Sequence, residues 1–98
     1  MVTYLPAINI NFIGPWRTLL GARTVAVNVE SIDEARDYVE TKFSPLFEKK
    51  ITSIGLGKKQ SIWDNSNILL NGTNIKLLNK INFKDGDKLD LLPRVAGG

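Results

Sequence analysis

The sequence predicts an α+β fold, a single domain with one main helix packed across a mixed sheet of four to five strands. Two patterns support this. Residues 7–12 and 24–29 alternate between apolar and polar side chains, as half-buried strands do. Residues 32–43 instead carry apolar side chains at helical spacing. A chain of 98 residues is long enough to form one compact core.

The first two strands are predicted to form an antiparallel pair, because they are close in sequence and joined by a turn-rich segment. Gly14-Pro15 interrupts the first strand, and a loop is expected from there through Gly21. The predicted core holds the inward-facing residues of these strands, the helix and the last strand: Ile10, Phe12, Val25, Val27, Ala35, Val39 and Leu91.

The helix has recognisable start and stop signals. Ser31 and Glu34 stand at the spacing of a capping box, in which each side chain binds a free backbone N–H of the first turn. Ser44-Pro45 is expected to end the helix, since the residue before a proline avoids the α region. Because proline is tolerated in a first helical turn, Pro45 is expected to start a short second turn through Phe47.

The second half of the chain begins without a regular pattern. Residues 49–67 show no periodicity and predict a mobile excursion. Residues 68–70 then form a strand, Asn71-Gly72 a hairpin turn, and residues 73–75 a short returning strand.

Two aromatic residues leave an alternative open. Trp16 and Trp63 lie in segments predicted to be loops. Each is either an interface residue or a plug in a satellite of the core.

The last strand is predicted at residues 88–93, after a turn at Asp85-Gly86. Leu89 and Leu91 fall on one face, and Leu92 falls on the face away from the helix. An apolar side chain there is either ordinary exposed surface or part of a docking patch. Its position beside the end of the chain favours docking.

Composition excludes several classes of chemistry. The chain has no cysteine, which excludes disulfides, thiolate metal sites and cysteine nucleophiles. It has no histidine, the commonest general base and metal ligand, so self-contained acid–base catalysis is not expected. The net charge of +3 is spread along the chain, which favours a solvated surface over nucleic-acid binding. Without a signal-peptide pattern or a long apolar run, a cytoplasmic protein that contacts no membrane is expected.

Three blocks near the end of the chain carry a resemblance: Ile68-Leu69-Leu70-Asn71-Gly72, Asp85-Gly86-Asp87, and Leu91-Leu92-Pro93-Arg94-Val95-Ala96-Gly97-Gly98. Together they resemble the β-grasp, ubiquitin-like sulfur-carrier family. That family includes the small subunit of molybdopterin synthase and the thiazole-synthesis sulfur carrier. The spacing is most similar to the archaeal branch that contains the small archaeal modifier proteins. Arg94 stands where the family often has proline, and the long segment at residues 49–67 is a second departure.

The resemblance implies a ubiquitin-like β-grasp domain at residues 1–93 and a flexible tail at residues 94–98. It also implies that the reactive group is the carboxylate of Gly98, which an activating enzyme joins to AMP from ATP. Gly97 and Gly98 suit the narrow channel of such an enzyme, because glycine has no Cβ. The chain is then a carrier or substrate and not itself an enzyme.

The resemblance also implies partners. An activating adenylyltransferase would bind the tail and its surroundings through Leu92, Arg94, Val95 and Ala96, and would supply magnesium for its ATP. The chain would bind no cofactor or metal and would be a monomer when free. Two functions remain open: a sulfur carrier with a Gly98 thiocarboxylate, acting with the large subunit of molybdopterin synthase, or a modifier joined through Gly98 to lysines of target proteins. One protein can serve both, and a tail-independent β-grasp adaptor is a third alternative.

Overall fold

The computed structural model describes residues 5–21, 23–53 and 61–94. The strands and the main helix follow one another in the predicted order, and the structure adds two further helices. The elements are β1 (Ala7–Phe12), α1 (Pro15–Leu20), β2 (Thr24–Asn28), α2 (Ile32–Lys42), α3 (Ser44–Ser53), β3 (Ser66–Leu70), β4 (Thr73–Asn74), a 3-10 turn (Ile75–Leu77) and β5 (Lys88–Pro93).

The five strands form one mixed sheet in the order β2-β1-β5-β3-β4. The predicted antiparallel pairing of β1 with β2 is confirmed, and β5 also pairs antiparallel with β3. The pairing of β1 with β5 is parallel. The last strand of the chain therefore lies in the middle of the sheet, between the first strand and β3.

The core lies on the helix side of this sheet. Six of the seven predicted core residues are buried, and Val25 is half-buried with its side chain packed against the core. Val25 lies near the start of the edge strand β2, whereas Val27, two residues further along the same strand, is buried. Trp16 and Trp63 are both buried, which resolves their alternative in favour of the core.

The loop expected through Gly21 is wrong: this segment contains helix α1, Pro15–Leu20. Proline stands in its first turn, where a missing N–H costs nothing. Gly21 ends it in the left-handed conformation, φ 67°, and its N–H donates to the Arg17 carbonyl oxygen at 2.9 Å. Six residues are too few for a periodic pattern, so the helix was not predictable from spacing.

Helix α2 begins where predicted and ends at Lys42, one residue before the predicted Phe43. Ser31 is the N-cap, and its hydroxyl accepts a hydrogen bond from the Glu34 N–H. The Glu34 carboxylate accepts from the Glu30 N–H, at 3.4 Å, one residue earlier than a capping box requires. The helix start is therefore fixed mainly by the Ser31 hydroxyl.

The short turn expected from Pro45 through Phe47 is instead the start of the ten-residue helix α3, Ser44–Ser53. The predicted excursion at residues 49–67 is accordingly wrong at both of its described ends, since α3 runs through Ser53 and β3 begins at Ser66. Residues 54–60 lie outside the described residues. Phe47 packs edge-to-face on Trp16, with ring centroids 5.0 Å apart, and this long-range contact stabilises a helix that local pattern does not predict.

Glu40 connects α2 to the segment before β3. One carboxylate oxygen accepts hydrogen bonds from the Ser61 hydroxyl and, at 2.9 Å, from the Trp63 N–H. The other oxygen accepts from the Ser44 hydroxyl at 2.8 Å. This side chain therefore holds the start of α3 and residues 61–63 against the end of α2.

Candidate functional site

The candidate site is the carboxyl end of β5, where the predicted tail of the chain begins. Because β5 is parallel to β1 and antiparallel to β3, its end lies beside the end of β1 and the start of β3. The tail therefore leaves the sheet from a central strand with supporting backbone on both sides.

Backbone hydrogen bonds hold the base of the tail. The Ile13 N–H donates to the Leu91 carbonyl oxygen at 3.0 Å on one side of β5. On the other side the Arg94 N–H donates to the Asn65 carbonyl oxygen at 2.9 Å. The ladder between β3 and β5 thus reaches Arg94, one residue past the predicted domain boundary. Residues 95–98 lie outside the described residues, and the predicted flexibility of the tail stays a prediction.

Leu92 lies on the sheet face away from the helices, as predicted. Leu89 and Leu91 are fully buried, whereas Leu92 is half-buried. Its partner in the register is Asn67 of β3, and Leu69, also half-buried, stands opposite Asp90 on the same face. Leu69 and Leu92 are therefore diagonal neighbours on the open face, beside the base of the tail.

A row of hydrogen-bonded polar side chains crosses the same face. Asp90 accepts a hydrogen bond from the Asn11 side-chain amide at 2.7 Å, and Asn11 accepts one from the Thr24 hydroxyl at 2.8 Å. This hydrogen-bonded row crosses three strands, β2, β1 and β5. The apolar pair of Leu69 and Leu92 is thus bordered by a fixed polar row.

A groove of about 400 Å³ opens beside the exposed Arg94. It forms because β4 is only two residues long and pairs with Leu69 and Leu70 alone, leaving the start of β3 uncovered. Acidic and basic side chains stand together in it. The lining residues are Trp63, Asp64, Ser66, Asn67, Ile68, Asn74, Ile75, Lys76 and Arg94.

Of the six predicted site residues, the structure describes Leu92 and Arg94. Leu92 lies in β5, and Arg94 directly follows Pro93, the last residue of that strand. Val95, Ala96, Gly97 and Gly98 lie outside the described residues. The groove could not be predicted from the sequence, because its lining comes from three separate segments. The Asn71-Gly72 turn was the one local signal for part of it, since it predicts that Asn74 lies beside β3.

The two aspartates of the Asp85-Gly86-Asp87 block stabilise the fold by accepting hydrogen bonds from backbone N–H groups. Asp85 accepts a hydrogen bond from the Ala7 N–H at 2.8 Å, and the buried Asp87 accepts one from the Lys84 N–H at 2.8 Å. Gly86 has φ 85° and completes the predicted turn. Among the described residues, no group of three or more acidic side chains is placed to hold a metal ion.

This sheet order, with the main helix across one face, defines the ubiquitin-like β-grasp fold. Particular solved structures share the fold. Small archaeal modifier protein 1 from Methanosarcina acetivorans is 21% identical with a TM-score of 0.68, covering 98% of this chain and 100% of that one. Its counterpart from Haloferax volcanii is 25% identical with a TM-score of 0.61, covering 94% and 99%. A chain from the complex of subunits 1 and 2 of molybdopterin-converting factor from Helicobacter pylori is 24% identical with a TM-score of 0.60, covering 94% of this chain and 99% of that one.

The resemblance predicted from the sequence is therefore confirmed, and so is the β-grasp fold class. No protein family profile matches the chain, and no curated protein sequence matches it. In the part of the chain that the structure describes, no helix has the length and apolar character needed to cross a lipid bilayer.

Proposed function

We propose that this protein is a ubiquitin-like carrier whose Gly98 carboxylate is activated by a partner adenylyltransferase and then converted to a thiocarboxylate that donates sulfur. The observation that carries the proposal is the base of the tail: the ladder of β5 reaches Arg94, and Gly98 follows four residues later. Fully extended, residues 94–98 span roughly 17 Å, enough to enter a partner while the domain stays outside.

The first step is an adenylation. An oxygen of the Gly98 carboxylate attacks the α-phosphorus of ATP, and pyrophosphate leaves with the electrons of the broken P–O bond. In the second step hydrosulfide attacks the acyl carbon, AMP leaves with the electrons of the broken C–O bond, and loss of the S–H proton gives the thiocarboxylate. This chain supplies the carboxylate and a slim tail without side chains at residues 97 and 98, and the partner supplies the catalytic groups.

The second candidate function is a protein modifier, and it is favoured by the two small archaeal modifier proteins among the structures that share the fold. In this case the nucleophile is the amine of a lysine on a target protein. It attacks the same acyl-adenylate, AMP leaves, and an amide bond forms. The two functions share their first step and differ in the second.

ATP–pyrophosphate exchange with the cognate activating enzyme tests the shared step. Deleting Gly97-Gly98 should abolish exchange, and Gly97→Val should do the same, because a β-branched side chain stiffens the tail and obstructs the channel. Both variants should melt near the wild-type temperature, since both positions follow the last strand in the sequence and neither is among the predicted core residues. If the truncated chain still supports exchange, the tail-independent adaptor becomes the better interpretation.

Mass spectrometry of the chain from its native cells separates the two functions. Replacement of one Gly98 oxygen by sulfur in the intact protein identifies the carrier. A Gly-Gly remnant on lysines of digested target proteins identifies the modifier. Detection of both products would assign both functions to this chain.

A further inference from the structure

The groove beside Arg94 contains two positively charged side chains that have no ionic partner in the described part of the chain. Lys76 belongs to the 3-10 turn that follows β4, and Arg94 directly follows β5. Both side chains are exposed, and no carboxylate within residues 5–21, 23–53 or 61–94 forms an ion pair with either of them. The groove therefore favours an occupant that brings negative charge.

One carboxylate, that of Asp64, also lines the groove. Asp64 belongs to the segment before β3, whereas Lys76 belongs to the turn after β4, so the two opposite charges come from different segments of the lining. An anionic group in the groove is repelled by Asp64 and attracted by Lys76, which favours a position on the β4 side. The buried Trp63 and the half-buried Ile75 add apolar surface to the same lining.

Hydrogen bonds hold the turn that carries Lys76. The Asn74 side-chain oxygen accepts from the Lys76 N–H at 2.9 Å, and the Leu78 N–H donates to the Ile75 carbonyl oxygen at 3.1 Å. Asn74 is itself paired with Leu69 of β3. The backbone that positions the Lys76 ammonium is therefore formed before any ligand arrives, which lowers the entropic cost of binding.

The end of the chain has the chemistry and the length to occupy this groove. Residues 95–98 are Val-Ala-Gly-Gly, two apolar side chains followed by the carboxylate on which the proposed function depends. Because β3 lies between β5 and β4, the turn after β4 is about two strand spacings, roughly 10 Å, from β5. Four extended residues span roughly 14 Å, so a carboxylate at Gly98 can reach Lys76 from Arg94.

We propose that this groove binds the chain's own tail, with the Gly98 carboxylate paired to the Lys76 ammonium and the Val95 side chain against Ile75. The proposal rests on the proposed function in one respect, that Gly98 carries a free carboxylate. An exposed ion pair favours the docked tail by up to about fivefold, so docked and free tails exchange. An activating enzyme must displace the docked tail before it can use Gly98, and the groove thereby regulates access to the reactive carboxylate.

NMR relaxation of the free, full-length chain tests the contact without a partner enzyme. The heteronuclear ¹⁵N NOE at Gly97 and Gly98 should be higher in the wild type than in Lys76→Gln, and the Ile75 amide signal should shift between the two proteins. Lys80→Gln removes the same charge from an exposed lysine outside the groove and should behave like the wild type. Equal NOE values in the wild type and Lys76→Gln would overturn the proposal. If the difference appears only as the protein concentration rises, the tail of a second copy occupies the groove and the proposal is wrong.

ATP–pyrophosphate exchange tests the regulatory consequence. Lys76→Gln should lower the concentration of the chain that gives half-maximal exchange by up to about fivefold, because a larger fraction of tails is free. Lys80→Gln should give the wild-type value. An unchanged or raised half-maximal concentration for Lys76→Gln would overturn the regulatory role. Absence of exchange with all three proteins, together with the tail contact seen by NMR, would support the docked tail and count against the proposed function.

Discussion

Asn71 and Asp87 are 16 positions apart in the sequence, and their side chains are hydrogen-bonded, with the Asn71 amide nitrogen donating to the Asp87 carboxylate at 3.1 Å. The Asn71 amide oxygen in turn accepts from the Lys88 N–H at 2.9 Å. This pair joins the turn after β3 to the turn before β5. Two of the three sequence blocks that carry the family resemblance thus meet in one structural contact, at the end of the sheet opposite the tail.

Replacing Asp87 should destabilise the fold. In Asp87→Ala the buried carboxylate is lost, and the Lys84 N–H and the Asn71 amide lose their acceptor. The expected loss in the free energy of unfolding is about 1–3 kcal/mol, measured by urea denaturation. Asp85→Ala is the matched control, since its bond to the Ala7 N–H is exposed and should cost less. Equal losses for the two variants would contradict the role assigned to burial.

Trp16 and Ser66 should be energetically coupled. The Trp16 indole N–H donates to the Ser66 hydroxyl at 2.9 Å, and that hydroxyl donates to the Ile62 carbonyl oxygen at 2.7 Å. Ser66→Ala leaves a buried indole N–H unpaired and should cost about 1–3 kcal/mol. A double-mutant cycle with Trp16→Phe, followed by urea denaturation, should give a coupling of about 0.5–3 kcal/mol. Additive effects would show that this bond does not hold α1 to β3.

Glu40 should contribute more to stability than other carboxylates of α2. Glu40→Ala removes the acceptor for the Ser44 and Ser61 hydroxyls and the Trp63 N–H. Because hydrogen bonds to a charged group are stronger than neutral ones, the expected loss is about 1.5–3 kcal/mol. Asp33→Ala lies on the exposed side of the same helix and should change stability by less than about 1 kcal/mol. Thermal melts of both variants are the measurement, and a similar midpoint for both would refute the prediction.

Leu92→Asp should weaken binding of the activating enzyme without altering the carboxylate. The substitution places a charge beside Leu69 on the open face, next to the tail. The concentration of the chain that gives half-maximal ATP–pyrophosphate exchange should rise about tenfold. Leu77→Asp introduces the same charge at a leucine that is 77% exposed in the 3-10 turn and should have no effect. If both variants act alike, or neither does, Leu92 is ordinary surface.

The strands and the main helix were predictable because their signals are local. The last strand and α2 agree with the sequence prediction to within one residue. The Asn71-Gly72 turn was equally accessible, and both residues have positive φ values, 50° and 91°. Alternation, capping residues and turn dipeptides act over a few residues, so they can be recognised without knowing what lies across the fold.

The helices α1 and α3 and the start of β3 were not predictable in the same way. Helix α1 is too short for a periodic pattern, and α3 depends on contacts such as that of Phe47 with Trp16, 31 residues apart in the sequence. The burial of Trp16 and Trp63 has the same origin. Each of these features depends on tertiary packing, which local sequence patterns do not predict.

By itself, the sequence determined the order of the strands and the main helix and the inward and outward faces of β5, because each of these follows from hydrophobic periodicity and turn chemistry. The resemblance of three sequence blocks added the β-grasp fold. Only the tertiary structure decided that β5 lies at the centre of the sheet, that a short β4 leaves a groove beside Arg94, and that β2 is left as an open edge. The physical reason is that strand order and surface shape depend on which distant segments pair, and pairing is settled by the packing of the whole core.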